Sequence, residues 1–197
     1  MPLETFLWMV VFALVTSVTP GPNNLMLLAS GVNFGFARTI PHMFGIALGF
    51  GSLLLSVGLG LGALLIAWPA LGVALKAAGA AYLLYLAWKI AGSRTMGSAG
   101  KASKPITLLQ AAAFQWVNPK AWMMSITAMA LYADPLNPGV TVPLVALSFV
   151  IVNFPSVSLW AGFGTMLRSF LDDPQRLKWF NIVMAVLLVA TLVPMLR

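Results

Sequence analysis

The sequence predicts an all-α polytopic membrane protein: six transmembrane helices in a 3+3 inverted repeat, with helices 1 and 4 broken. Three observations carry this. First, 60% of the 197 residues are hydrophobic and only 8% are charged, with a mean hydropathy of +0.95. A soluble domain needs far more charge to cover its surface. Second, the chain divides into six apolar stretches, each able to supply the ~20 residues of helix that a hydrocarbon core requires. Third, two clusters of helix-breaking residues lie inside the first and fourth stretches. They are Val18-Thr19-Pro20-Gly21-Pro22-Asn23-Asn24 and Val117-Asn118-Pro119-Lys120, set 99 residues apart from Pro20 to Pro119. Broken spans at matching places in two halves are the sequence mark of a transporter's binding site.

The spans are expected at roughly 5–33, 40–66, 70–91, 106–132, 140–167 and 177–196. The whole is one transmembrane domain, with repeat 1 over about 1–92 and repeat 2 over about 106–197. Between them, 93–105 is a hydrophilic inner loop with Arg94, Lys101 and Lys104 among Gly and Ser. Pro69, Asp134-Pro135 and Asp172-Asp173-Pro174 punctuate the other boundaries. The start, Met1-Pro2-Leu3-Glu4, lacks the positive region of a signal peptide, so the first span reads as retained. Three spans per half make the second half enter the membrane from the opposite side, and the same 99-residue shift carries span 2 onto 5 and span 3 onto 6.

Charge sets the orientation. The first, third and fifth loops with their flanks hold eight basic residues: Arg38, Lys89, Arg94, Lys101, Lys104, Arg168, Arg176 and Lys178. The other side has only Lys76 and Arg197. The positive-inside rule then places both termini outside. This topology, and not nucleic-acid binding, accounts for the net charge of +7. Trp8, Trp68, Trp88 and Trp179 fall near the expected interfaces, where an amphipathic ring is favoured. With so few loops, the inner (plasma) membrane of a bacterial-type cell is the expected home, with lipid as the surrounding partner.

The absence of cysteine and the single histidine leave no thiolate chemistry and no multi-ligand metal site, and nothing calls for a cofactor. The first break has two prolines flanking a glycine, which removes backbone donors and unwinds the span. The half-helix restarting near Asn23 or Asn24 would present free N–H groups and a positive dipole end, a seat for a carboxylate. Thr19, Pro20, Gly21, Pro22, Asn23 and Asn24 are therefore candidate substrate-binding residues, as are Asn118, Pro119 and Lys120 of the second break. Lys120 sits about 13 residues from either end of its span, ~20 Å of helix and beyond easy snorkelling. A charge there costs ~2.5–3.5 kcal/mol and marks function. Three states are open to it: neutral, bound to carbonyls freed by the breaks, or paired with the substrate.

The four acids, Glu4, Asp134, Asp172 and Asp173, all lie near span ends. A cationic substrate would want an acid in the spans, so a small neutral amino acid or another small carboxylate fits better. Its carboxylate would face Lys120 and the half-helix, and its ammonium the freed carbonyls. Asn153, beside Pro155 in the fifth span, either lines the same cavity or bonds between helices, as do Ser156, Ser158 and Asn181. Gly31 and Gly35, Gly45 and Gly49, and Gly58, Gly60 and Gly62 read as close helix contacts. His42, near the inner end of the second span, is a proton-relay candidate with Lys120, though a histidine at that depth is ordinarily solvated.

The chain resembles the lysine/threonine-exporter (LysE/RhtB) superfamily of small amino-acid exporters. The residues that carry the resemblance are Thr19-Pro20-Gly21-Pro22-Asn23-Asn24, Gly35-Phe36-Ala37-Arg38, Gly45-Ile46-Ala47-Leu48-Gly49, the stretch from Gly79 to Lys89, and Val117-Asn118-Pro119-Lys120. Within the superfamily it looks most like the branch of cysteine and O-acetylserine exporters. The resemblance implies secondary-active export of small neutral amino acids or derivatives (threonine, homoserine, cysteine or O-acetylserine-like) by alternating access coupled to protons, and it is compatible with a homodimer. One departure stands out: many members carry a titratable residue early in the second span, where this chain reads Gly49-Phe50-Gly51-Ser52. An uncoupled pore and a non-transporting membrane subunit are the alternatives. An enzyme is disfavoured for want of a Ser-His pair, a carboxylate pair or a metal cluster.

Overall fold

In the computed structural model, residues 1–93 and 104–193 are described, and all their regular structure is helical. Helix α1, Leu3–Val18, and helix α2, Pro22–Phe34, meet at a bend of 55°. Pro22 is the first residue of α2, where its missing N–H costs nothing. Gly21 before it is fully extended, with φ −172° and ψ 177°. Helix α3, Phe36–Ser56, runs through a π turn at Val57–Leu61 into α4, Gly62–Ala67. Helix α5 covers Pro69–Ala91. The second half has α6, Leu108–Gln115; α7, Pro119–Tyr132; α8, Pro138–Leu167; and α9, Pro174–Ala190. Three of these four starts are fixed by side-chain caps. A Thr107–Gln110 capping box opens α6, the Asn118 side chain caps α7, and Asp173 accepts from the N–H groups of Gln175 and Arg176 to cap α9.

Among the described residues, Phe36–Leu65, Pro69–Ala91 and Pro138–Leu167 are each long and apolar enough to cross a membrane, and bent α1–α2 adds a fourth. The expected spans 4 and 6 appear as shorter pieces. The 14 residues of α7 rise ~21 Å and the 17 of α9 ~26 Å, short of a ~30 Å core. Residues 94–103, most of the inner loop and including Arg94 and Lys101, lie outside the described residues, as does Arg197.

Packing crosses between the halves. α1 and α2 lie on α8, α6 lies on α3, α3 meets α8, and α5 pairs with α9. Glycine makes two of these contacts backbone to backbone. A Cβ on Gly31 would stand 2.2 Å from the Ala161 carbonyl oxygen, and one on Gly164 2.2 Å from that of Leu28. On the other side, Cβ atoms at Gly45 and Gly49 would stand 2.3 and 2.4 Å from the carbonyl oxygens of Leu108 and Ala112. Gly35 and Gly60 differ from the expected helix contacts. They have φ of 83° and 108°, ending α2 and kinking the second span in a conformation that other residues resist.

Polar contacts gather the basic segments at one end. Gly35 lies against Arg168, whose Nη1 would be 2.7 Å from a Cβ there. Lys89 Nζ donates to the Lys104 carbonyl at 2.8 Å. Beneath them, Asn33 and Asn181 exchange side-chain hydrogen bonds at 2.8 and 3.2 Å, while Ser93 Oγ donates to Asn33 Oδ1 and its carbonyl accepts from Asn181. Trp8, Trp68, Trp88 and Trp179 are all exposed.

Candidate functional site

The two breaks meet. Lys120, in the first turn of α7, reaches across to the first break, where its Nζ donates to the Thr19 carbonyl at 2.6 Å and to Thr19 Oγ1 at 3.0 Å. Of the three states open to Lys120, the structure has the carbonyl-bound one. Gly21 makes room for it, since a Cβ there would stand 2.8 Å from Lys120 Cδ and 3.2 Å from Nζ. This glycine matters for the space it leaves, as extended backbone suits any residue.

A second link joins the breaks. Asn23 Nδ2 donates to Gln115 Oε1 at 2.8 Å, and Gln115 Nε2 returns a bond to Asn23 Oδ1 at 3.1 Å. Gln115 is fully buried, and its amide also donates to the Ala111 carbonyl. Asn118, buried beside it, spends its Oδ1 on the Lys120 N–H and turns Nδ2 toward Gln115 Oε1 at 3.4 Å.

Three carbonyls freed by the first break are already occupied. Asn24 Nδ2 donates to the Ser17 and Thr19 oxygens at 2.8 and 2.9 Å, and the Trp160 indole donates to Val18 at 3.2 Å. In the second break, the Trp122 indole donates to the Trp116 oxygen at 2.7 Å. Side chains satisfy this irregular backbone, as burial away from water demands. The expectation that these carbonyls would wait free for a substrate ammonium is thus not met at Ser17, Val18 or Thr19.

Between the breaks lies a small chamber. Gly21, Asn23, Asn24, Asn118, Lys120 and Asn153 line it, which brings together six of the sequence-nominated residues. About 20 Å³ is open to the centre of a water molecule, room for roughly one water. Thr19, Pro20, Pro22 and Pro119 line instead an adjoining cleft of about 450 Å³, walled by Phe12, Met123, Thr127 and Thr191. Thr16, Gly21, Lys120 and Met124 belong to both linings and together stand between chamber and cleft. No side chain caps α2, whose first turn faces the chamber through Asn23 and Asn24.

Three polar chamber residues were missed in the sequence, Thr16, Ser17 and Gln115, as was the apolar wall of Ile46, Phe50, Ala121, Met124 and Val157. Gln115 had a readable signal, a carboxamide one turn before Asn118 in an apolar span. His42 corrects an expectation. It is fully buried, not solvated, because α2, α6 and α8 all pack on α3; neither ring nitrogen has a partner, and it does not line the chamber.

No solved structure matches the chain. Its similarity to known proteins lies in sequence. It is 35% identical over 181 residues, 90% of each chain, to the cysteine/O-acetylserine efflux protein of Escherichia coli (strain K12), and to the same degree to those of Shigella sonnei (strain Ss046) and Shigella flexneri. The profile of LysE type translocators matches residues 3–194, so the chain belongs to that family and is a multi-pass membrane transporter, not an enzyme.

Proposed function

We propose that this protein exports small neutral amino acids or their derivatives, of the cysteine and O-acetylserine kind named for its relatives, by alternating access across the inner membrane. The observation that carries the reading is the Lys120 ammonium set against the first break, in a chamber that holds no carboxylate. A substrate carboxylate supplies the missing anion: it would displace Thr19 from Lys120 and lie at the uncapped first turn of α2, where N–H groups favour negative charge. The substrate-binding set is Thr19, Pro20, Gly21, Pro22, Asn23, Asn24, Asn118, Pro119, Lys120 and Asn153. The lack of a buried acid nearby argues against cationic cargo.

The architecture belongs to the same proposal. Six spans, with a repeat over about 1–92 and another over about 106–197, are supported by the cross-packing of α1–α2 on α8 and of α6 on α3. The gathering of Lys89, Lys104 and Arg168 at one end supports the orientation with both termini outside. Proton coupling enters through Lys120 and the buried, unpartnered His42 as relay groups. The tightness of the chamber weighs against an uncoupled pore.

The test is efflux from cells overproducing the wild-type protein or Lys120→Met at matched membrane levels, after loading with dipeptides. Release of one or a few neutral amino acids, abolished by Lys120→Met and by collapse of the proton gradient, is expected. Release that survives Lys120→Met removes the lysine from the site. No release from either protein would sink the export reading.

A further inference from the structure

A zwitterion needs a pole for each charge. The proposed reading seats the carboxylate at Lys120, but four of the freed carbonyls are already taken, so the ammonium needs another acceptor on the chamber wall. Ser17, Val18 and Thr19 already accept from Asn24, Trp160 and Lys120, and Trp116 from Trp122. Asn23 and Gln115 spend their amide oxygens on each other, and Asn118 spends its own on the Lys120 N–H. Two amide oxygens on the chamber wall have no donor, Oδ1 of Asn24 and Oδ1 of Asn153, and of the two only that of Asn153 is sealed from solvent.

Asn153 is 6% exposed on α8, and its Nδ2 donates to Ser17 Oγ at 3.1 Å, which fixes which end of the amide is left over. A buried acceptor without a donor is rare, and a ligand that supplies the donor accounts for it. The other buried unpartnered polar groups, on His42, Tyr82 and Ser125, do not line the chamber. The chemistry of the group also fits. An amide oxygen accepts from an ammonium without adding a negative charge beside Lys120, where a carboxylate would neutralise the lysine and close the carboxylate pole.

We infer that Asn153 recognises the α-ammonium of the substrate through its Oδ1 and thereby selects amino acids over other small carboxylates. This rests on the chamber being the substrate site. Lys120 and Asn153 then divide the work: the lysine reads the acid that all small carboxylates share, and the asparagine reads the amine that only amino acids carry.

The experiment uses the full-length protein in liposomes loaded with O-acetyl-L-serine, with the amine-free analogue 3-acetoxypropanoate as competitor. Wild type, Asn153→Leu, Asn153→Ser and Lys120→Met are compared at matched incorporation. Wild-type transport should prefer the amino acid by on the order of 10- to 100-fold, the worth of one charge-assisted hydrogen bond. Asn153→Leu should lose that preference, with amino-acid transport falling about as far while competition by the analogue persists. Asn153→Ser, which keeps an acceptor, should recover part of it. Lys120→Met should weaken both ligands alike. Preference unchanged in Asn153→Leu overturns the inference. So does equal loss of both ligands in Asn153→Leu and Asn153→Ser, which would make Asn153 a packing residue. If the wild type moves neither O-acetylserine nor cysteine, the export reading itself fails, a result distinct from these.

Discussion

Asn23 and Gln115 exchange two hydrogen bonds across the middle of the protein, each amide both donating and accepting, at 2.8 and 3.1 Å. The pair ties the start of α2 to the end of α6 and holds the two broken spans in register. Gln115→Leu leaves the Asn23 amide without its partner, and an unpaired polar group costs more than a lost pair. Thermal unfolding in detergent should report a loss of ~1–3 kcal/mol for the single variant. The double variant Asn23→Leu, Gln115→Leu should lose less than the sum of the two singles. Strict additivity would mean that the pair contributes nothing as a pair.

Gly21→Ala isolates the Lys120 slot. The backbone at Gly21 is extended and tolerates alanine, so the effect comes from a Cβ 2.8 Å from Lys120 Cδ. Transport should fall at least about tenfold, corresponding to ~1.4 kcal/mol, with near-normal yield of folded protein. In a Lys120→Ala background, which has no δ atom to meet, Gly21→Ala should leave ligand binding and melting temperature almost unchanged. A large further loss in that background would place the role of Gly21 elsewhere.

Two glycines on one helix make a controlled comparison. Gly164→Ala drives a methyl to 2.2 Å from the Leu28 carbonyl oxygen and should cost ~1–3 kcal/mol or more by overpacking. Gly162 has nothing within 4 Å, and Gly162→Ala should stay within ~0.5 kcal/mol of wild type. Melting temperatures of the purified variants decide it; equal shifts would discredit the α2–α8 contact.

Outside the spans, the Asp134 carboxylate accepts from the Leu136 N–H at 2.9 Å and from the Asn137 amide at 3.2 Å, and these bonds hold its pKa below the ordinary carboxylate value. A pKa lower in the folded state means stabilisation that is present above the unfolded value and lost as pH falls through the folded one. The melting temperatures of wild type and Asp134→Ala should therefore differ at neutral pH and converge as the solution is acidified below the usual aspartate range. A gap that widens on acidification would reverse the sign and refute this assignment.

What the sequence revealed and what it hid follow from how local each cause is. Pro20, Gly21 and Pro22 break a helix by their own covalent chemistry, and Asn118-Pro119 and Asp172-Asp173-Pro174 mark boundaries, so these were legible, while the capping bonds of Asn118 and Asp173 emerged only in the structure. The intramembrane charge of Lys120 was equally plain, but its partner Thr19, 101 residues away, was not chosen among three alternatives until the breaks were brought together. Gln115 carried a local signal in its spacing from Asn118, whereas Ser17 looked like any polar residue in a span, because its role depends on which helix crosses it. The burial of His42 was hidden for the same reason: hydropathy places it near a span end, while three neighbouring helices cover it. Gly31, Gly45 and Gly49 were readable as contacts, whereas Gly35 and Gly60 serve backbone geometry instead.

The glycine contacts also decide how the two halves of the sequence are joined. Where α2 touches α8 and α6 touches α3 through bare backbone, neither pair can slide without forcing a carbonyl into a neighbouring main chain. Each pair takes one helix from each half, so both bare-backbone seams run between the repeats and not within one. α3 and α8, one from each seam, also meet, with Phe44 facing Phe154 at 5.0 Å and Phe50 facing Phe149 at 6.5 Å between ring centroids. Pulling the repeats apart would therefore open both seams at once, so neither half is a separable unit.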